Sequence, residues 1–205
     1  MDANILFRVV LLAVLVATFS ISAYFRKKAR EEGGVIERKE EGIIVLVLRM
    51  VFGLPLLASL LLYLFYPQWL VWSAVALPIW LRWLFVVVAV LCVPILWWIF
   101  RSIGTNISET VLIKREHQLV TTGPYQWVRH PLYATALLLI FSFSIVAGNW
   151  FIFAYFVMGL LVFRYIVIPE EEKRLIEAFG EKYEDYQMRT GALLPKIFRG
   201  DSNAT

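Results

Sequence analysis

The sequence predicts an all-α fold: a polytopic membrane helix bundle with five transmembrane helices, a polar cytoplasmic loop before the fourth and a C-terminal helix after the fifth. Three observations predict it. The 205 residues are 60% hydrophobic, with a mean hydropathy of +0.70, where soluble domains hold about 45–50% on a closely similar residue set. Long uncharged runs alternate with basic segments. A globule of this size has no interior for so much apolar side chain, so the surplus faces lipid. The runs take up most of the chain, so residues 1–205 read as a single membrane domain.

The spans follow in order. Val9 to Phe25 carries no charge and is followed by Arg26, Lys27, Lys28 and Arg30. A secretory signal places its cations before the apolar run, so this is an uncleaved first span, about 4–25. Met50 to Leu81 is uncharged and punctuated by Pro55, Pro67 and Pro78, and Trp83 to Phe100 is uncharged again. These give a second span at about 43–66, an interfacial turn around Pro67-Gln68-Trp69, and a third span at about 78–100. Pro131 to Phe163 also lacks charge. As one helix it would be about 50 Å long against a hydrocarbon core of roughly 30 Å. A break at Gly148-Asn149 divides it into spans at about 131–147 and 150–168.

Lysine and arginine set the expected orientation. They cluster after span one, before span four and in the C-terminal tail, while the alternate loops hold essentially Arg82 alone. By the positive-inside rule the N-terminus is outside and the C-terminus cytoplasmic, in a plasma membrane or the endoplasmic reticulum. The mixed-charge stretch 26–42 reads as a solvated connector. The net charge of +4 belongs to this topology; no clustered basic face with interleaved aromatics suggests nucleic acid. One cysteine, Cys92, and two histidines, His117 and His130, are a poor inventory for a metal, and none is expected. No Gly-x-Gly-x-x-Gly occurs among the 11 glycines, which gives no support to a Rossmann-type nucleotide site.

Polar residues are nearly absent from the spans, where a channel or transporter would use them. They gather at the cytoplasmic mouth of the last two. In the stretch His117 to Tyr133, Gly123-Pro124 signals a turn, and Pro131 suits the first turn of span four. Arg129 and His130 thus stand at a helix mouth with free backbone N–H groups, a setting for a carboxylate or another electron-rich group. The same residues also suit a plain interface, with Arg129 snorkelling, His130 capping, and Tyr125, Trp127 and Tyr133 in an aromatic belt. Beyond span five, Pro169 suits a helix start and Glu170, Glu171 and Glu172 its positive end. Ile168, Leu175, Ile176, Phe179, Tyr183 and Tyr186 form one apolar stripe if the helix persists through Gly180; Glu172 falls within it, Glu171 borders it, and Arg164 lies on the same face. A carboxylate on a packed face needs a partner. A bound ligand and a pairing with Arg164 are both open.

Taken together, residues 101–198 resemble the isoprenylcysteine carboxyl methyltransferase family and its relatives among small membrane methyltransferases. The likeness rests on Gly104, Asn106, His117-Gln118-Leu119-Val120, Gly123, Tyr125, Arg129-His130-Pro131, Tyr133, Glu171-Glu172, Leu175, Phe179-Gly180, Tyr183, Tyr186 and Leu194-Pro195. It implies S-adenosylmethionine as cofactor and a catalytic region over 101–198. It carries cofactor-binding roles onto His117, Gln118, Leu119, Val120, Tyr125, His130, Pro131, Leu132, Tyr133, Glu171 and Glu172. The family's substrate-binding arginine stands four residues before the position of Glu171, where this chain has Val167. Arg164, one helical turn earlier, is the candidate catalytic residue in its place, orienting an acceptor carboxylate by a charge-assisted hydrogen bond.

The expected reaction is in-line transfer of an activated methyl group, which needs alignment and dehydration more than a protein nucleophile or a metal. The expected partners are membrane lipid and a lipophilic acceptor, foremost the carboxylate of a prenylated cysteine, entering laterally between spans. A phospholipid or small-thiol methyltransferase is the close alternative. An NADPH-dependent membrane reductase, with Lys114 and Arg115 near the cofactor, and a non-catalytic scaffold are more distant ones.

Overall fold

The computed structural model describes residues 2–33, 49–104 and 119–196. The expected connector beyond Gly33, the start of span two at 43–48, and the candidate cofactor residues His117 and Gln118 lie outside these. The described residues are mainly helical, without a named strand among them. The helices are α1 (Ala3–Gly33), α2 (Leu54–Phe65), α3 (Ile79–Ile103), α4 (Pro131–Ala147), α5 (Trp150–Val162), α6 (Ile168–Phe179) and α7 (Glu181–Arg189).

Among the described residues three helical stretches are long and apolar enough to cross a membrane alone: Ala3–Glu31, Ile79–Ile103 and Trp150–Phe179. A fourth candidate is the pair Met50–Phe65 and Pro67–Ser73, bent by 114°. The bend falls at Tyr66-Pro67, because proline has no N–H to continue the helix. Helix α4 is apolar but shorter, at 17 residues. Many large apolar side chains, Val9, Phe19, Leu61, Val87, Leu91 and Leu161 among them, are exposed. In a multi-pass membrane protein that surface is the lipid face.

The bundle has two apolar cores. The larger packs Phe7, Leu11 and Val14 of α1 against Leu60, Tyr63 and Leu64 of α2, Val86 and Ala89 of α3, and Phe143 and Val146 of α4. The smaller, at the other end, gathers Phe25, Ala29, Leu96 and Phe100, with Leu132 against them.

The end near the larger core is tied by polar bonds. Arg82 donates to the Val146 carbonyl at 2.8 Å and to Asn4 Oδ1 at 3.0 Å, and its guanidinium lies 4.3 Å above the Phe7 ring. The expected break after α4 is present. Gly148 has φ 58 and receives the Val75 N–H at 2.6 Å. Asn149 caps α5 by accepting from Ile152 N–H and donates to Ser73 Oγ at 2.8 Å. A left-handed glycine and an asparagine cap reverse the chain in two residues.

The sequence reading placed a new helix start at Pro169. The chain instead runs on from α5 into α6 through a π-turn, Phe163–Val167, and Trp150–Phe179 is one continuous helical stretch. Nor does the last helix persist through Gly180. There φ is 54, and this left-handed glycine closes α6 and starts α7 in a new direction.

Gly148 combines its positive φ with a position where a Cβ would lie 2.6 Å from the Val75 carbonyl oxygen. Gly148→Ala is expected to lower stability by at least about 2 kcal/mol, read as a fall in the thermal unfolding midpoint of detergent-purified protein.

Candidate functional site

The site forms where the loop before α4 meets α6 and α7. A short turn, Gly123–Gln126, brings the loop down onto the end of α3. Gly123 sits so close that a Cβ would come within 2.7 Å of Ser102 Oγ, and its φ is 63. The chain then leads through Arg129 and His130 into α4, with Pro131 in its first turn.

Neither residue does what a plain interface would ask of it. The Arg129 side chain is 11% exposed and turns inward to Glu172. His130 occupies the N-cap position without a side-chain cap bond. It is buried, with Nε2 at 3.1 Å from Glu172 Oε1 and Nδ1 at 3.5 Å from Glu171 Oε2.

Glu172 is saturated by protein donors. Arg129 Nε and Nη2 each reach Oε1 at 2.8 Å, His130 Nε2 lies 3.1 Å from the same atom, and Gln187 Nε2 donates to Oε2 at 2.9 Å. Three of these donors share Oε1 and one takes Oε2, so both oxygens are engaged by the protein. Glu171 differs. Its Oε2 is buried, and among the described residues it has no hydrogen-bond partner, the His130 contact being at ion-pair distance only.

The C-terminal segment completes the enclosure. Arg129 Nη1 donates to the carbonyls of Gln187 and Thr190. The backbone N–H groups of Arg129 and His130 donate to the carbonyls of Gly191 and Ala192 at 2.9 and 3.0 Å. Tyr186, buried on α7, donates its hydroxyl to the Tyr125 carbonyl. A side chain at Gly191 would run into the Leu194 carbonyl oxygen, so only glycine lets the tail turn beside the loop.

Aromatic rings stack beside the carboxylates, and the loop before α4 is partly buried. The His130 ring stacks on Tyr133 at 5.6 Å and Tyr133 on Phe163 at 4.6 Å. Tyr125 and Pro131 are buried, and Leu119 and Val120 half-buried. Leu132 turns away into the smaller core of the bundle.

Arg164 is not brought to the two glutamates. It is exposed, with its guanidinium 5.5 Å from the Tyr165 ring centre, and the cation paired with Glu172 is Arg129. The π-turn is the cause. The Ile168 N–H bonds to the Phe163 carbonyl, a five-residue step that inserts one residue into the helical repeat. In an unbroken α-helix Arg164 and Glu171 would lie about 20° apart round the axis; the inserted residue shifts Arg164 by about 100°. It brings Phe163 into line with Glu171 instead, which is why Phe163 joins the ring stack that ends on His130. Sequence spacing carried no mark of that insertion.

Burial pulls the His130 pKa down, but the Glu171 and Glu172 carboxylates outweigh it and raise it above 6.5. Burial likewise raises that of Glu172, and bonds from His130 and Arg129 outweigh it and hold it below 4.5. Burial raises the Tyr125 phenol, aided by Glu171. The site thus gathers an imidazole, a guanidinium and two acidic side chains, one of them with a buried oxygen that has no hydrogen-bond partner among the described residues.

Residues 83–177 match the model of the isoprenylcysteine carboxyl methyltransferase (ICMT) family. Over that segment the chain resembles the family. It is similar to the protein-S-isoprenylcysteine O-methyltransferase of Schizosaccharomyces pombe, 33% identical over 96 residues, 46% of this chain and 41% of the yeast protein. It also resembles the methanethiol S-methyltransferase of Pseudomonas deceptionensis, 36% identical over 75 residues, 37% of this chain and 28% of the bacterial protein. These matches span less than half the length of either relative. The solved structure of the eukaryotic intramembrane Ras methyltransferase ICMT superposes with a TM-score of 0.52 at 23% identity, covering 92% of this chain and 68% of that one. The likeness in fold thus extends well beyond the segment that the family model matches.

Between pH 4.5 and 6.5, the ordinary values of the two groups, the Glu172–His130 pair contributes fully to stability. The His130 share is lost as pH rises through its raised folded-state value, and the Glu172 share as pH falls through its lowered one. The thermal midpoint against pH is expected to fall on both sides, and His130→Ala to abolish the alkaline limb. Glu172→Ala leaves Arg129 unpaired and is expected to cost on the order of 3 kcal/mol.

Proposed function

We propose that the chain is an integral-membrane methyltransferase that uses S-adenosylmethionine to methylate a lipophilic acceptor, foremost a prenylated cysteine carboxylate. The observation that carries this reading is the buried Glu171 oxygen, at ion-pair distance from His130 and without a hydrogen-bond partner among the described residues, inside the segment that matches the ICMT family. A buried carboxylate oxygen short of hydrogen bonds is costly, and an ammonium or hydroxyl group of the cofactor would supply one. The residue set fits such a molecule: His130 and the mouth of α4 suit its carboxylate, and Tyr125, Tyr133, Leu119 and Val120 suit an aromatic base. His117, Gln118, Pro131 and Leu132 keep the cofactor roles that the family resemblance implies, Leu132 through its packing.

S-adenosylmethionine supplies a methyl group on a positively charged sulfur, already activated for displacement. What remains for the protein is to align the acceptor, exclude water and keep its own charges in place. Glu172 serves by holding His130 and Arg129, and Glu171 by facing the ligand. Phe163 and Tyr133 keep the imidazole plane fixed.

The ends of the helices support five passes. Residues near Asn4, Ser73, Arg82 and Asn149 meet at one end, and those near Phe25, Phe100 and Leu132 at the other. With the basic segments at the second end, the site is cytoplasmic and the N-terminus lies outside. A lipophilic acceptor then reaches the site from the bilayer side.

One observation favours a second reading, a small-thiol acceptor. The π-turn carries Arg164 off the face of Glu171, and Val167 stands where the family resemblance places the substrate arginine. A thiolate needs no cation to orient it as a carboxylate does. In the carboxylate reading Arg164 swings from the Tyr165 ring to the acceptor.

Wild-type protein in detergent is expected to bind S-adenosylhomocysteine saturably by calorimetry, with Glu171→Ala and His130→Ala each weakening binding at least about tenfold. No saturable binding by folded wild type, or undiminished binding by both variants, would overturn the assignment. Labelled S-adenosylmethionine offered with prenylcysteine, phospholipid and thiol acceptors is expected to label prenylcysteine most, with Arg164→Ala reducing that labelling. Preferential labelling of the thiol would establish the second reading.

A further inference from the structure

Tyr183 on α7 is 1% exposed. Among the described residues its phenolic oxygen is buried without a hydrogen-bond partner, and the other such side-chain atom is Glu171 Oε2. An enclosed hydroxyl with nothing to bond costs stability, and phenylalanine would fill the same space without that cost. Packing alone therefore does not account for a tyrosine here.

Its neighbour supplies the contrast. Tyr186 lies one turn on, with ring centres 5.9 Å apart, and spends its hydroxyl on the Tyr125 carbonyl, holding the loop down. The two phenols reach the same side of α7, and one is left over. The charged groups around the Tyr183 hydroxyl are those of the site itself. Burial first, then Glu172 and Glu171 against an opposing Arg129, raise its pKa, so it is a neutral hydrogen-bond donor at any physiological pH.

We infer that Tyr183 is a further ligand-binding residue, its hydroxyl and Glu171 Oε2 together holding polar groups of the methyl donor. A carboxylate accepts only, while a phenol both donates and accepts. The pair is suited to a ligand that offers donors and acceptors close together, as an amino-acid head or a vicinal diol does. This inference rests on the methyl-donor reading of the site and adds a contact to it.

The test is Tyr183→Phe, which keeps the ring and deletes the hydroxyl. If the hydroxyl serves the ligand, the ligand-free thermal midpoint stays equal or rises, while affinity for S-adenosylhomocysteine falls about tenfold. A second probe, methylthioadenosine, has the ribose without the amino-acid head. A loss with both probes assigns the hydroxyl to the ribose, and a loss with S-adenosylhomocysteine alone assigns it to the head; either supports the inference. Wild-type binding with unchanged affinity in Tyr183→Phe overturns it, as does a lowered ligand-free midpoint, which would give the hydroxyl a structural partner. Absence of saturable binding by the wild type overturns the methyl-donor reading itself, and this inference with it.

Discussion

A carboxylate removed from water must be met by donors, and Glu172 is met from two other parts of the chain. Arg129 and His130 come from the loop before α4, and Gln187 from α7. The shared anion joins these segments, and removing Arg129 would leave its charge without the guanidinium partner. Glu172 is thus tied into the framework, while the adjacent Glu171 keeps an oxygen at ion-pair distance from His130.

The framework has a second anchor at the opposite end of the bundle. Arg82 bridges α1, α3 and α4, and Gly148-Asn149 locks the turn into α5 against the stretch after α2. The long helical stretch from Trp150 to Phe179 is thereby fixed at one end by this knot and at the other by Glu172. Between them the π-turn sets which side chains look inward. It aligns Phe163 with the ring stack on His130 and turns Arg164 outward.

Much of this was legible in the sequence. Uncharged runs located α1, α3, α4 and α5, since lipid demands apolar side chains over a whole crossing. Gly148-Asn149 announced the hairpin, because a left-handed glycine followed by a capping asparagine is local chemistry. Pro131 and the polar residues before it marked the site for the same reason. Ile168, Tyr183 and Tyr186 were read as an inward stripe and are buried, although Gly180 breaks the helix that carries them. The packed position of Glu172 was equally visible from spacing, and its partner was not. Arg164, seven residues from Glu171, was the natural choice by α-helical arithmetic.

The sequence by itself determined that the chain lives in lipid, where it turns, and which polar residues cluster at one mouth of the bundle. These follow from composition and from short-range backbone preferences. Only the tertiary structure decided that Glu172 pairs with Arg129, 43 residues away, that Glu171 has a buried oxygen without a hydrogen-bond partner among the described residues, and that the tail closes over the loop. Such pairings depend on where two distant segments meet, and on a change of helical register that alters every facing by about 100° without leaving a mark in residue type.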